Sequence, residues 1–127
     1  MKLIAQKTKK VDVPNDPDGG FIVIKNLTQE EVAVIEGKYF EVTNKEVRMV
    51  NYAERESEFA RACLTDWGNM FDESGRPMKF TPKNIEKASA FSIEIEDKMT
   101  RFYEWVNTER EKFAEEVDEA EKEARKN

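Results

Sequence analysis

The last part of the chain constrains its fold most, because no glycine or proline occurs from Ser92 to the C-terminus. Apolar residues recur there at heptad spacing, with Glu109 in one apolar position, at Ile95, Met99, Phe102, Val106 and Phe113. The phase slips by one residue between Phe113 and Val117, and only valine and alanine continue the stripe. Spacings of three and four residues are typical of one buried face of an α-helix. We therefore predict a long C-terminal helix whose front half packs on the domain while its charged tail projects or meets a partner.

Two β-hairpins are predicted before this helix. Alternating valines at 11 and 13 are separated by a loop of turn-forming residues from the β-branched run Phe21–Ile24. Two further β-like runs, 39–43 and 46–50, flank Asn44-Lys45. The predicted fold class is α+β, with a small N-terminal antiparallel β-sheet of hairpins, then helices and the long C-terminal helix.

Capping residues mark three helices between the first hairpin and the C-terminal stretch. Thr28 and Glu31 form a capping-box pattern for a short helix that ends at Gly37. A helix is predicted from Tyr52 to Asp66, closed by Gly68, and another begins with Thr81 as N-cap and proline at its first turn. With 127 residues, we expect a single domain made of a β-rich part (1–50), a helical part (51–106) and a charged helical extension (107–127).

The net charge of −6 argues against nucleic acid and anionic lipid as partners. The one basic cluster, which comprises Lys2, Lys7, Lys9 and Lys10, is interpreted as a solvated N-terminal arm. No apolar run is long enough for a signal peptide core or a membrane span, and a lone cysteine indicates a reducing compartment. We expect a cytoplasmic protein that does not bind membranes.

Histidine is absent from the chain, which removes the commonest general base and transition-metal ligand. The 27 acidic residues fall mainly on predicted solvated helix faces, where paired carboxylates gain no shifted pKa values. We therefore expect no enzyme, no cofactor and no metal. Cys63 is interpreted as a small buried hydrophobe. The oxygen-rich stretch from Asp66 to Ser74 is interpreted as a capped turn, since it lacks the order of a calcium loop.

Aromatic residues at the start of the last helix suggest protein binding. Phe102, Tyr103, Trp105 and Val106 span too much of a helix circumference to face one core. Core packing is the alternative for each ring, but some of this surface is expected to meet a partner or a second copy through the C-terminal helix. Met70, Met78 and Met99 would add adaptable surface. The predicted protein-binding residues are Trp67, Met70, Phe102, Tyr103, Trp105 and Phe113.

Residues 63–85 read CLTDWGNMFDESGRPMKFTPKNI. Asp-Trp lies at the end of a predicted helix, Asp-Glu-x-Gly-x-Pro in a turn, and Phe-Thr-x-x-Asn at the next helix start. This pattern resembles the small tail assembly chaperones, and related tail-gene proteins, of long-tailed bacteriophages and prophages. The Val-Asp-Val-Pro strand and the capped first helix are similar too, so that the resemblance covers roughly residues 10–100.

The resemblance implies a non-enzymatic protein of the host cell cytoplasm that acts in virion assembly. It implies binding to the tape measure protein, which is kept soluble, and recruitment of tail tube protein subunits. It further implies absence from the finished particle and, in many members, a longer product made by ribosomal frameshifting. An acidic binding protein with an aromatic helix face suits a helical, aggregation-prone client.

Other functions stay open at the level of sequence. A structural virion subunit or phage-accessory subunit of the same fold is one alternative, and a small intracellular protein-interaction regulator is another. A small-molecule enzyme or regulator would need a concave pocket with strongly shifted titrating groups.

Overall fold

The structure is a computed structural model, and it describes Met1 and residues 7–126. Its elements follow one another along the chain as β1 (Thr8–Asp12), β2 (Phe21–Lys25), α1 (Gln29–Gly37), β3 (Phe40–Thr43), β4 (Glu46–Met49), α2 (Tyr52–Cys63), β5 (Leu64–Gly68), α3 (Pro82–Lys87), a 3-10 turn (Ala88–Ala90), β6 (Ser92–Ile95), β7 (Lys98–Arg101) and α4 (Phe102–Arg125). The predicted α+β class, with N-terminal antiparallel hairpins and a long C-terminal helix, is confirmed.

The main sheet has three antiparallel strands in the order β1-β2-β5. The first predicted hairpin is confirmed, with Val11 opposite Ile22. Ile22 and Ile24 alternate along the central strand and are fully buried, because one face of the sheet is covered by the core.

The second predicted hairpin, β3–β4, is also confirmed, with Thr43 opposite Glu46. Its two turn residues, Asn44 and Lys45, both have positive φ (49° and 68°), as in the tight turns that match strand twist. This hairpin forms its own two-stranded sheet.

The predicted helix starts follow the capping chemistry. The Thr28 side chain accepts a hydrogen bond from the Glu31 N–H, and the Glu31 carboxylate accepts one from the Thr28 N–H, which completes the capping box. The Thr81 hydroxyl accepts a hydrogen bond from the Asn84 N–H, and Pro82 occupies the first turn.

The helix predicted from Tyr52 to Asp66 is too long. It ends at Cys63, and Leu64–Gly68 is instead the edge strand β5, paired with β2. Leu64 and Trp67 are both buried although they lie three positions apart, a spacing that is typical of a helix. An irregularity beside Ile24 shifts the strand register and turns both side chains toward the core, so backbone pairing with β2 overrides the local periodicity.

The helical register predicted to run from Ile95 is wrong before Phe102. Ser92–Ile95 and Lys98–Arg101 form a third hairpin, β6–β7, around two residues with positive φ, Glu96 and Asp97. The part of the chain predicted as helical, 51–106, therefore contains three strands. Alternating isoleucines in β6 carried the strand signal that the heptad pattern masked.

Helix α4 packs along α2, and α2 is also hydrogen-bonded to Asn107 of α4 and to Arg101, the last residue of β7. Arg101 donates two hydrogen bonds of 3.0 Å to the Glu56 carboxylate, and Asn107 donates one of 2.8 Å to the Glu56 carbonyl. Phe113 and Val117 are buried in the same core cluster, so the charged extension predicted at 107–127 belongs to the core as far as residue 117. Beyond it every described position is exposed.

The basic cluster is not a solvated arm in the described residues. Lys9 lies in β1 and its ammonium is 2.7 Å from the Glu116 carboxylate on α4. The Lys10 ammonium lies 4.4 Å from the centre of the Phe21 ring. Lys2, the first member of the cluster, lies outside the described residues, as does Asn127 at the end of the predicted extension.

Candidate functional site

The rings predicted to exceed the capacity of one core are buried within a single chain. Only 5% of Phe102, 4% of Trp105 and 1% of Tyr103 is exposed, and Trp67 and Phe113 are buried as well. The prediction that these side chains leave an uncovered aromatic surface is wrong. Helix α4 packs against three elements, namely α2, the 3-10 turn and β7. Rings that point in different directions from its first turns are therefore all buried.

Two of the buried rings donate a hydrogen bond to a backbone carbonyl. The Tyr103 hydroxyl donates to the Ile85 carbonyl, and burial raises the pKa of Tyr103 to about 12. The Trp67 indole N–H donates to the Met78 carbonyl over 2.7 Å. Both bonds fasten the segment that contains α3 and its preceding loop to the core.

An apolar groove of about 400 Å3 opens beside the start of α4. Two predicted binding residues, Trp67 and Phe102, lie at its base, and Met70, which is half-buried, lies in its wall. Tyr103, Trp105 and Phe113 do not line it. Among the described residues, those that line the groove are Trp67, Met70, Phe71, Asp72, Glu73, Met78, Ala88, Ala90, Phe91, Ser92, Ile93, Met99 and Phe102.

Three methionine side chains line the groove. Met70, Met78 and Met99, which the sequence marked as adaptable surface, are brought together here from two separate segments. Met99 projects at the solvent side with 73% of its surface exposed. Unbranched thioether side chains can repack around partners of different shapes, and methionine-rich surfaces are common in proteins that bind helices.

A tight turn builds one wall of the groove. The Asp72 carboxylate accepts hydrogen bonds of 2.9 Å from the backbone N–H groups of Ser74 and Arg76, and these bonds lower the pKa of Asp72. Gly75 completes the turn at a φ of 79°. At the base of the turn, the Met78 N–H donates to the Met70 carbonyl over 2.8 Å. The wall is therefore held by backbone geometry as well as by packing.

The predicted capped turn explains the oxygen-rich stretch. Asp72 caps the turn, while the Asn69 amide donates to the Gly19 carbonyl and the Asp66 carboxylate accepts from the Trp67 N–H. Asp66 and Asp72 thus serve local contacts, whereas Asn69 connects to the loop before β2. Across residues 7–126 and Met1, no group of three histidine, cysteine or acidic side chains is placed to hold a metal ion.

The rim of the groove is acidic. Asp72 and Glu73 are the charged side chains among the described residues that line it, and the Asp72 carboxylate also forms an ion pair of 3.4 Å with Arg76 on the same turn. The backbone N–H groups of Arg76 and Ser74 and the Arg76 guanidinium lower the pKa of the Asp72 carboxyl, so this group is ionised at neutral pH. An occupant with apolar side chains and nearby lysine or arginine residues would complement the groove.

Sequence reasoning missed part of the groove and a second apolar surface. Phe71 and Ile93 line the groove, but no local sequence pattern indicates this, because their positions depend on the turn and on β6. On the β3–β4 hairpin, all eight strand residues are exposed, among them apolar side chains on alternate positions. The alternation of apolar residues is visible in the sequence. Whether another element packs against that apolar face depends on the tertiary structure.

Cys63 is buried as predicted, and desolvation raises the pKa of its thiol to about 12. Among the helices of the described residues, none combines the length and the apolar character that crossing a membrane requires.

No protein-family model, curated protein or solved structure matches the chain.

Proposed function

We propose that this chain is a non-enzymatic tail assembly chaperone of a long-tailed bacteriophage or prophage, which binds the tape measure protein and recruits tail tube protein. The observation that supports this proposal is the methionine-lined groove with its acidic rim. The motif that resembles tail assembly chaperones, residues 63–85, supplies the turn and much of the wall of that groove.

The occupant proposed for the groove is an amphipathic helix of the tape measure protein with basic residues beside its apolar face. A volume of about 400 Å3 accommodates a few large apolar side chains, which is how a helix anchors in such a surface. At the rim the basic residues are attracted by Glu73, and less by Asp72 because Arg76 already pairs with it. The net charge of −6 extends this attraction over the whole chain.

Binding of the purified chain to helical fragments of the tape measure protein encoded near it tests this proposal. The test variant is Met99→Glu, which puts a charge into the apolar mouth of the groove at an exposed side chain. We expect it to weaken fragment binding at least about tenfold, since a buried unpaired carboxylate is costly. Calorimetric titration at two salt concentrations measures the affinity and its electrostatic part.

Val34→Glu is the matched control, because Val34 is also an exposed apolar residue and lies on α1 outside the groove. It introduces the same charge and should leave the affinity unchanged. If no tape measure fragment binds the wild-type chain, the proposal is wrong. Mass spectrometry of purified particles gives a second test, since a fixed copy number of this chain in finished virions would identify a structural subunit instead.

A further inference from the structure

The β3–β4 hairpin exposes an apolar face to solvent. Phe40 lies opposite Met49 and Val42 lies opposite Val47, so these four side chains point to the same side. Val42 and Val47 are 76% and 66% exposed. A two-stranded hairpin with an uncovered apolar face gains little stability by itself, whereas a sheet of three or more strands is stable.

The outer edge of β4 is free to accept another strand. The Val50 N–H donates to the Tyr39 carbonyl over 2.7 Å, which identifies this pair as hydrogen-bonded within the hairpin. Hydrogen-bonded and non-bonded pairs alternate along an antiparallel ladder, so the backbone groups of Val47 and Met49 point outward. Within the described part of the chain, β4 pairs only with β3.

The charges on β4 are complementary to those of an identical strand. If two copies of β4 pair in antiparallel fashion about Val47, the two valines form a hydrogen-bonded pair, consistent with the outward direction of their backbone groups. This register sets Glu46 opposite Arg48 of the second copy, and the symmetry repeats that ion pair. Registers centred on Glu46 or on Arg48 would instead place like charges opposite each other.

The other edge of the hairpin lacks this complementarity. Symmetric pairing of β3 about Val42 would place Glu41 opposite Thr43, which gives no ion pair. Pairing about Glu41 would place two carboxylates together. Charge therefore selects β4 as the self-complementary edge.

We propose that β4 is a homodimer interface, at which a second copy of this chain joins the hairpins into one four-stranded antiparallel sheet. Val47 then packs beside Val47 of the second copy, and the outward backbone groups of both strands are hydrogen-bonded. The interface is distinct from the C-terminal helix, for which self-association was predicted from sequence, and from the methionine-lined groove.

Charge reversal with rescue tests this interface in the purified full chain. Arg48→Glu and Glu46→Arg each place like charges opposite each other in a homodimer, so each variant alone should dimerise at least about tenfold more weakly than the wild type. In a mixture, every charge of one variant meets an opposite charge of the other. We therefore expect a heterodimer to form with an affinity close to that of the wild type.

Sedimentation velocity over a concentration series measures the dimerisation constants, and mass spectrometry of one isotope-labelled variant identifies the heterodimer. Glu41→Arg is the control, because it removes the same contact with Arg48 within the hairpin (3.7 Å) but leaves the β4 edge unchanged, and it should dimerise normally. A monomeric wild type, a dimer insensitive to both reversals, or a mixture without heterodimer would overturn the proposal. Because the chain is tested without a client, these outcomes leave the proposed chaperone function untouched.

Discussion

Replacement of Trp105 by alanine separates a core role of this ring from a binding role. The side chain is 4% exposed and lies outside the groove, with its ring centre 6.2 Å from that of Phe102. A buried aromatic side chain removes about 150–250 Å2 from water, equivalent to about 4–6 kcal/mol at ~25 cal/mol per Å2 as an upper value. Measured losses for such truncations are about 3–5 kcal/mol, so we expect about 4 kcal/mol.

Urea unfolding followed by far-UV circular dichroism measures this loss. A domain of this kind has a total stability of about 5–15 kcal/mol, so Trp105→Ala should lower the unfolding midpoint strongly with little change in slope. Met99→Ala is the control, since truncation of an exposed side chain changes stability by about 0.5 kcal/mol or less. If the alanine variant does not fold, Trp105→Phe provides a milder truncation, for which a smaller loss is expected.

The result that would refute this reasoning is a free energy of unfolding for Trp105→Ala within about 1 kcal/mol of the wild-type value, because no cavity could then have formed. Binding gives an independent check. After correction for the folded fraction, Trp105→Ala should bind tape measure fragments as the wild type does. If Trp105→Ala lost binding while its stability stayed intact, the sequence-based prediction that Trp105 contacts a partner would be right.

Two further outcomes follow from shifted pKa values. Backbone hydrogen bonds lower the pKa of Asp72 in the folded chain, so its contribution to stability is present above the unfolded-state pKa and is lost as the pH falls through the folded-state value. Acid titrations of unfolding should therefore show a smaller stability loss for Asp72→Asn than for the wild type, and equal slopes would contradict the shift. Burial raises the pKa of Cys63 to about 12, so iodoacetamide at pH 8 should alkylate it only in urea, as measured by mass spectrometry. Rapid alkylation of the native chain would show that the thiol is accessible.

Local chemistry was enough to predict several elements. The capping box of Thr28 and Glu31, the proline at the first turn of α3 and the short turn at Asn44-Lys45 each specify backbone geometry through contacts within a few residues. The groove methionines were also recognisable as adaptable side chains. These predictions needed no knowledge of what packs against the element.

Two helix predictions failed where strand pairing competes with a helix-like spacing. Leu64–Gly68 carries a helix-like spacing, yet it forms a strand because β2 offers backbone partners and a register shift that buries Leu64 and Trp67. The segment from Ser92 to Arg101 follows a heptad pattern, yet it pairs with itself as a hairpin around Glu96-Asp97. In the first case hydrogen bonds to a distant strand outweigh the local spacing. In the second case the ladder is local, and Ile93 and Ile95 of the hairpin pack against the core.

The sequence by itself determined the fold class, the capped helix starts, the N-terminal hairpins and the acidic charge. Only the tertiary structure decided whether apolar side chains are covered. It surrounds Phe102, Tyr103 and Trp105 with three elements, while it leaves the β3–β4 hairpin and the methionine-lined groove open to solvent. The physical reason is that periodicity gives the direction of a side chain relative to its own backbone, but burial depends on which other elements lie in that direction.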